Sequence, residues 1–109
     1  MELTKSEKKI VRQLIEIGLQ REFTKGLTEA DSILADWKNQ IKDNRESYHL
    51  LYKQITQFDK HIARRYDAMT GSRYFYVLAA QFTDNIISEN DLENVPEHLI
   101  QALKLIASR

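Results

Sequence analysis

Apolar residues recur every three or four positions from Ile10 to Ile106, and the places where this rhythm fails mark the ends of helices. Thr4 and Glu7 have the spacing of a capping box, and Ile10, Val11, Leu14, Ile15 and Gly18 follow at helical intervals, so a first helix is expected over about 4 to 25. Gly26 is the expected stop, with Leu27 folding back on the last turn and Thr28 with Asp31 opening a second helix. Its stripe is Ala30, Ile33, Leu34, Trp37 and Ile41, with Glu29, Asp31, Lys38 and Lys42 off it.

Apart from Ile41, residues 39 to 47 are polar, which predicts a short connection and a new cap at Asp43 or Asn44. A third helix then carries Tyr48, Leu51, Tyr52, Ile55, Phe58, Ile62, Tyr66 and Met69 and is expected to end at Gly71. Ser72 is the expected cap of a fourth, whose apolar positions from Tyr74 to Ile87 surround the axis, the pattern of a central helix. The stretch 88 to 94 breaks the rhythm, with Leu92 and Val95 as tethers. Pro96 opens a shorter C-terminal helix with Leu99, Ile100, Leu103 and Ile106.

No period-two run of β-branched residues competes with this reading. The expected fold is all-α: a compact bundle of four principal helices plus a shorter C-terminal one, in a single domain over 1–109. Gly18 lies in mid-helix, where glycine costs about 1 kcal/mol against alanine. A close helix crossing is therefore expected there.

Composition narrows the function classes. The 109 residues are 42% hydrophobic and 29% charged, with sixteen basic and sixteen acidic side chains, so neither disorder nor a generally cationic nucleic-acid binder is favoured. The absence of cysteine removes disulfides, thiolate metal sites and cysteine nucleophiles, and it suits a reducing, cytoplasmic setting. No apolar run reaches the roughly 20 residues of a membrane span, and Met1-Glu2-Leu3-Thr4-Lys5 does not read as a signal peptide. Phosphate-loop, dinucleotide, kinase and nucleophile-elbow patterns are all absent, with only three glycines to build any of them.

The candidate chemistry is sparse. Glu46 and His49 form one Glu-x-x-His, whereas carboxylate-bridged metal sites in bundles use two, and neither His61 nor His98 has a glutamate three residues before it. No metal or cofactor is expected. Asp59, at the margin of the third helix's stripe, calls for a partner such as Tyr52, Tyr66 or an arginine of another helix. A structural aspartate is favoured over a general base, since no catalytic set completes it. Lys5, Lys8, Lys9 and Arg12 form a basic ridge on the first helix, read as a solvated face.

The least ordinary stretch is 64–76, where Arg64, Arg65, Tyr66, Ser72, Arg73, Tyr74, Phe75 and Tyr76 crowd about one expected turn. Free amides at a helix start, the Ser72 hydroxyl and Arg73 are groups that would converge on an anion, and arginine and tyrosine are enriched at binding hot spots. In the plainer reading Ser72 only caps and Asp67 pairs with Arg64 or Arg73. The leading expectation is a non-enzymatic protein-interaction module that self-associates, most simply as a homodimer, because the later helices carry more large apolar residues than one thin bundle covers. Anion or small-ligand binding at 64–76 is the alternative, and a metal-dependent enzyme stands third.

Overall fold

Four α-helices make up the architecture in the computed structural model, which describes residues 2–67 and 69–108: α1, Lys5–Lys38; α2, Asn44–Tyr66; α3, Tyr74–Thr83; and α4, Glu97–Ala107. Short 3-10 helices at Gly71–Arg73 and Glu89–Leu92 lie in the connections, and no strand occurs among the described residues. The all-α class agrees with the periodicity. The number of helices does not, because the first two expected helices are one.

Gly26 does not end α1. It keeps a helical backbone without a positive φ, and the space a side chain would need is taken by Phe58, whose ring would lie 2.7 Å from an added Cβ. It is a packing glycine, and the sequence signal for a cap and for a close approach is the same residue. Thr28 is likewise absorbed: its hydroxyl donates to the Thr24 carbonyl at 2.7 Å, one turn back in the same helix. The turn comes after Lys38, where Gln40 adopts a left-handed backbone with φ 59° and Asp43 caps α2 by accepting from the Glu46 amide at 2.8 Å.

The α2 helix stops at Tyr66, five residues short of Gly71, with Met69 and Thr70 outside any helix. Ser72 is not the cap of α3. Arg73 occupies that position without a side-chain bond, and Ser72 lies inside the 3-10 helix closed by the Arg73 amide on the Thr70 carbonyl at 2.8 Å. At the other end α3 stops at Thr83, and Asn85 turns left-handed with φ 61°. Ile86 and Ile87 therefore lie beyond the helix, with the Ile86 amide donating to the Gln81 carbonyl at 2.8 Å.

The residues group into two compact units, one comprising the chain through Arg21 together with residues 68 to 109, the other residues 22 to 67. In the first, Val11, Leu14 and Ile15 of α1, Phe75, Leu78 and Ala79 of α3, Leu99 and Leu103 of α4, and the tethers Ile87, Leu92 and Val95 are all buried. Each large side chain so buried contributes about 1.5–3 kcal/mol, which makes this the hydrophobic core of the protein. The expected central place of α3 holds within this unit. The capping box at its entrance is complete, with the Thr4 amide donating to Glu7 at 2.9 Å and the Glu7 amide to the Thr4 hydroxyl at 3.2 Å.

Arg21 closes this unit. Its two terminal nitrogens grip Asp91 at 2.8 and 2.9 Å, and one of them also reaches the Ile86 carbonyl at 2.9 Å. Asp91 in turn accepts from the Ser88 amide at 2.7 Å, so one carboxylate both caps the 3-10 helix and ties it to α1. The Arg21 guanidinium, then the Ser88 amide, hold the Asp91 carboxyl well below the usual carboxylate range.

The crossing expected at Gly18 is present, and its neighbour is polar. A Cβ there would lie 2.3 Å from Nε2 of Gln81, a fully buried amide that donates to the Ile15 carbonyl at 3.0 Å. Gly18→Leu should therefore lose more through overpacking, about 1–3 kcal/mol, than it gains in helix propensity. Thermal denaturation should show a fall of about 4–8 °C for each kcal/mol of net loss; a melting temperature within 1–2 °C of the parent, on the order of a few tenths of a kcal/mol, would place the crossing elsewhere.

Candidate functional site

The second unit is a hairpin of the latter part of α1 and α2, and among the described residues it contains no buried hydrophobic side chain. Its buried positions are Glu22, Gly26 and Ser47. Glu22 is 4% exposed and is met by three donors from the last turns of α2. His61 Nε2 lies 2.7 Å from Oε1, Arg65 donates to the same oxygen at 3.0 Å, and the Tyr66 hydroxyl donates to Oε2.

Burial alone pushes the Glu22 carboxyl up, but the Tyr66 and His61 hydrogen bonds and the Arg65 charge outweigh it and hold the group below its ordinary value. An ionised carboxylate can only accept, so His61 carries its proton on Nε2. One turn along α1 the Gly26 carbonyl accepts from Gln54 at 3.0 Å, and Phe23 meets Phe58 edge-to-face with centroids 5.9 Å apart. A polar cluster and one aromatic pair thus set the register of the two helices.

The apolar residues of this hairpin point elsewhere. Leu27 and Leu34 of α1 are seven residues apart and share a face with Trp37; Tyr48 and Ile55 of α2 are likewise seven apart, with Tyr52 between them. Leu34, Trp37, Tyr48 and Leu51 line one shallow apolar depression, which brings both stripes to the same side of the hairpin. At the rim Trp37 Nε1 donates to Asn44 at 2.8 Å, fixing the indole beside the opening. Exposures reach 70% for Leu27, 67% for Tyr48 and 64% for Tyr52, so both stripes stay largely uncovered.

Of the residues expected at 64–76, Arg64, Arg65 and Tyr66 belong to this unit, whereas Ser72, Arg73, Tyr74 and Tyr76 belong to the first. Ala68 lies outside the described residues. Arg65 and Tyr66 come together on Glu22, while Arg64 Nε donates to its own helix at Lys60. Among the described residues of this unit Asp67 forms no ion pair with Arg64. In the first unit the Ser72 and Thr70 hydroxyls lie 3.1 Å apart, and the Arg12 guanidinium stands 5.8 Å over the Tyr74 ring. Tyr76 is exposed and lines an open depression with Lys8, Gly71 and Ser72, Lys8 lying so close that a Cβ on Gly71 would be 3.3 Å from Nζ.

Asp59 is exposed and needs no buried partner; the Tyr66 hydroxyl that could have served it is on Glu22. His49 and Glu46 line a wet hollow at the start of α2, and among the described residues no group of three or more histidine, aspartate or glutamate side chains is placed to hold a metal ion. Nor, among them, is any helix long and apolar enough to cross a membrane. Glu22 escaped the sequence reading because Arg21-Glu22 looks like any charged pair on a wet face. Its one signal is spacing, since Gly18, Glu22 and Gly26 fall one turn apart on the same line of α1.

No protein-family model, curated protein or solved structure matches this chain.

Glu22→Gln keeps the shape of the cluster and removes the charge that faces His61, Arg65 and Tyr66. Urea denaturation at pH 7 should show a loss of about 2 kcal/mol. The Glu22 carboxyl is held below its unfolded value, so its stabilisation is complete above the ordinary carboxylate range and is lost as pH falls through the folded value. The gap between parent and variant should accordingly narrow below about pH 4, and a gap independent of pH would show that Glu22 acts through its shape.

Proposed function

We propose that this protein is a helical protein-interaction module that associates with itself, and that the second unit carries the association. The observation behind this reading is the contrast between the units: among the described residues the first buries fourteen hydrophobic side chains and leaves Ile17, Tyr76 and Leu105 exposed, while the second buries none and leaves Leu27, Trp37, Tyr48, Tyr52 and Ile55 at 42–70% exposure. A helix normally buries its apolar stripe against another element of the same layer. Here the seam between α1 and α2 holds a polar cluster beside one aromatic pair, and Leu27, Tyr48, Tyr52 and Ile55 stay outside it. Polar groups converge mainly on Glu22, where their donors are consumed, so the arrangement favours binding over catalysis.

Light scattering of the full chain across a concentration series from about 1 μM to 1 mM, a span of 4.1–8.2 kcal/mol in association free energy, should show the mass rising above that of one chain. A single-chain mass throughout would remove self-association.

A second reading, anion binding near the start of α3, draws support from Lys8. This cation of the supposed solvated ridge lies over Gly71, where Ser72 and Tyr76 line the same depression. Under this reading Lys8, with Ser72, recognises a phosphate or carboxylate, and Arg73 stands near. A phosphate titration followed by amide shifts should then move Gly71 to Phe75 most, and Lys8→Ala should abolish the response. Amides that stay fixed to tens of millimolar phosphate, beyond the dissociation constant of a site worth about 4 kcal/mol, would show the region to be structural.

A further inference from the structure

We infer that the occupant of the hairpin's apolar face is the same face of a second copy of this chain, joined two-fold so that two hairpins complete one four-helix core. This rests on the self-association proposed above and assigns it to a surface. Three observations carry it.

The first is area. Leu27, Leu34, Trp37, Tyr48, Tyr52 and Ile55 expose between 36 and 70% of their surface, together several hundred Å², most of the roughly 800 Å² that each partner contributes to a standard stable interface. The match is to a whole interface, larger than an anchor for one short peptide. The second is the state of the hairpin itself. Two helices that bury no hydrophobic side chain between them, yet carry heptad-spaced apolar residues, are half of a bundle, and a second identical half supplies the missing layer with the same spacing.

The third is charge. The chain carries sixteen charges of each sign, so two copies meet without net repulsion. Along the edge of the face on α1, exposed Asp31 and Lys38 stand on either side of Leu34, three residues before and four after. An isologous two-fold contact that crosses near Leu34 runs the two α1 helices antiparallel and sets Asp31 of each copy against Lys38 of the other. A parallel approach would set like on like.

Trp37 is the single tryptophan of the chain and lies on this face, so its emission reads the interface directly. The test follows the full-length protein by sedimentation equilibrium and by Trp37 emission over the same dilution series, with circular dichroism as the check on folding. The expected result is a mass of two chains, and emission that shifts to the red as dilution releases monomer. Leu34→Glu and Ile55→Glu, each at an exposed position, should retain helicity and weaken the dimer at least about a hundredfold by placing an unpaired carboxylate in the interface. Asp31→Lys should weaken it roughly tenfold through two symmetric like-charge contacts, and adding Lys38→Asp should restore it.

A single-chain mass at every concentration would overturn both this inference and the self-association on which it rests. A dimer that persists in Leu34→Glu and Ile55→Glu, or forms with no change at Trp37, would leave self-association standing and overturn the assignment to this face. Failure of Lys38→Asp to rescue Asp31→Lys would overturn the antiparallel two-fold contact.

Discussion

The carboxylate of Glu22 is the constraint on which the hairpin depends. In most small helical units the register of two helices is set by apolar side chains that interlock, and polar residues decorate the outside. Here His61, Arg65 and Tyr66 reach across from α2 to one buried acid, and the neighbouring close contact is a glycine against an aromatic ring. A buried ion pair is weak evidence of stability, since desolvation offsets most of its attraction, but it is demanding about geometry. Three donors on two oxygens can be satisfied in one register only. A slide of one turn would leave Arg65 without its acid and bring the Phe58 ring against residues that carry a Cβ.

The two buried glycines of α1 show how one residue type carries opposite structural meanings. Gly18 faces a buried glutamine amide and Gly26 faces a phenylalanine ring, and neither has a positive φ. Both are there for proximity. From sequence, Gly18 read correctly because apolar residues continue on both sides of it, whereas Gly26 read as a terminator because Leu27 and Thr28 follow it in the order a helix end would use. The ambiguity is physical: glycine relieves a backbone in the left-handed region and relieves a crowded crossing by the same absence of a Cβ. Only the partner helix decides between them, and Phe58 is 32 residues away.

What was legible followed from local chemistry. The capping box at Thr4, the Asp43 cap and the central character of α3 rest on interactions within a few residues or on one helix's own pattern, and each is present. What was not legible depends on residues far apart in sequence. Arg21 and Asp91, 70 residues apart, tie α1 to the segment that looked only like an interruption, and Glu22 draws its donors from 39 to 44 residues away. The crowded stretch at 64–76 attracted notice for its composition, and its members are distributed: Arg65 and Tyr66 serve Glu22, while Tyr74 lies under Arg12 in the other unit. An unusual local composition there marks a boundary between two sets of contacts.

The same separation explains why the apolar stripe of the hairpin stays outside. If Leu34 and Trp37 faced Tyr48 and Ile55 across the seam, the helices would cohere by themselves and little apolar surface would be left over. With Glu22 and Gly26 in the seam, the polar groups supply register and the hydrophobic groups are left for another surface, where burial is worth about 25 cal/mol per Å². A polar seam of this kind has a further consequence for association. If the proposed partner meets this face, a hairpin already tied together by the Glu22 cluster and the Gly26–Phe58 contact has less conformational entropy to lose on binding. On the proposed self-association, register is fixed within the chain by the Glu22 cluster, and the free energy of hydrophobic burial comes from contact outside it.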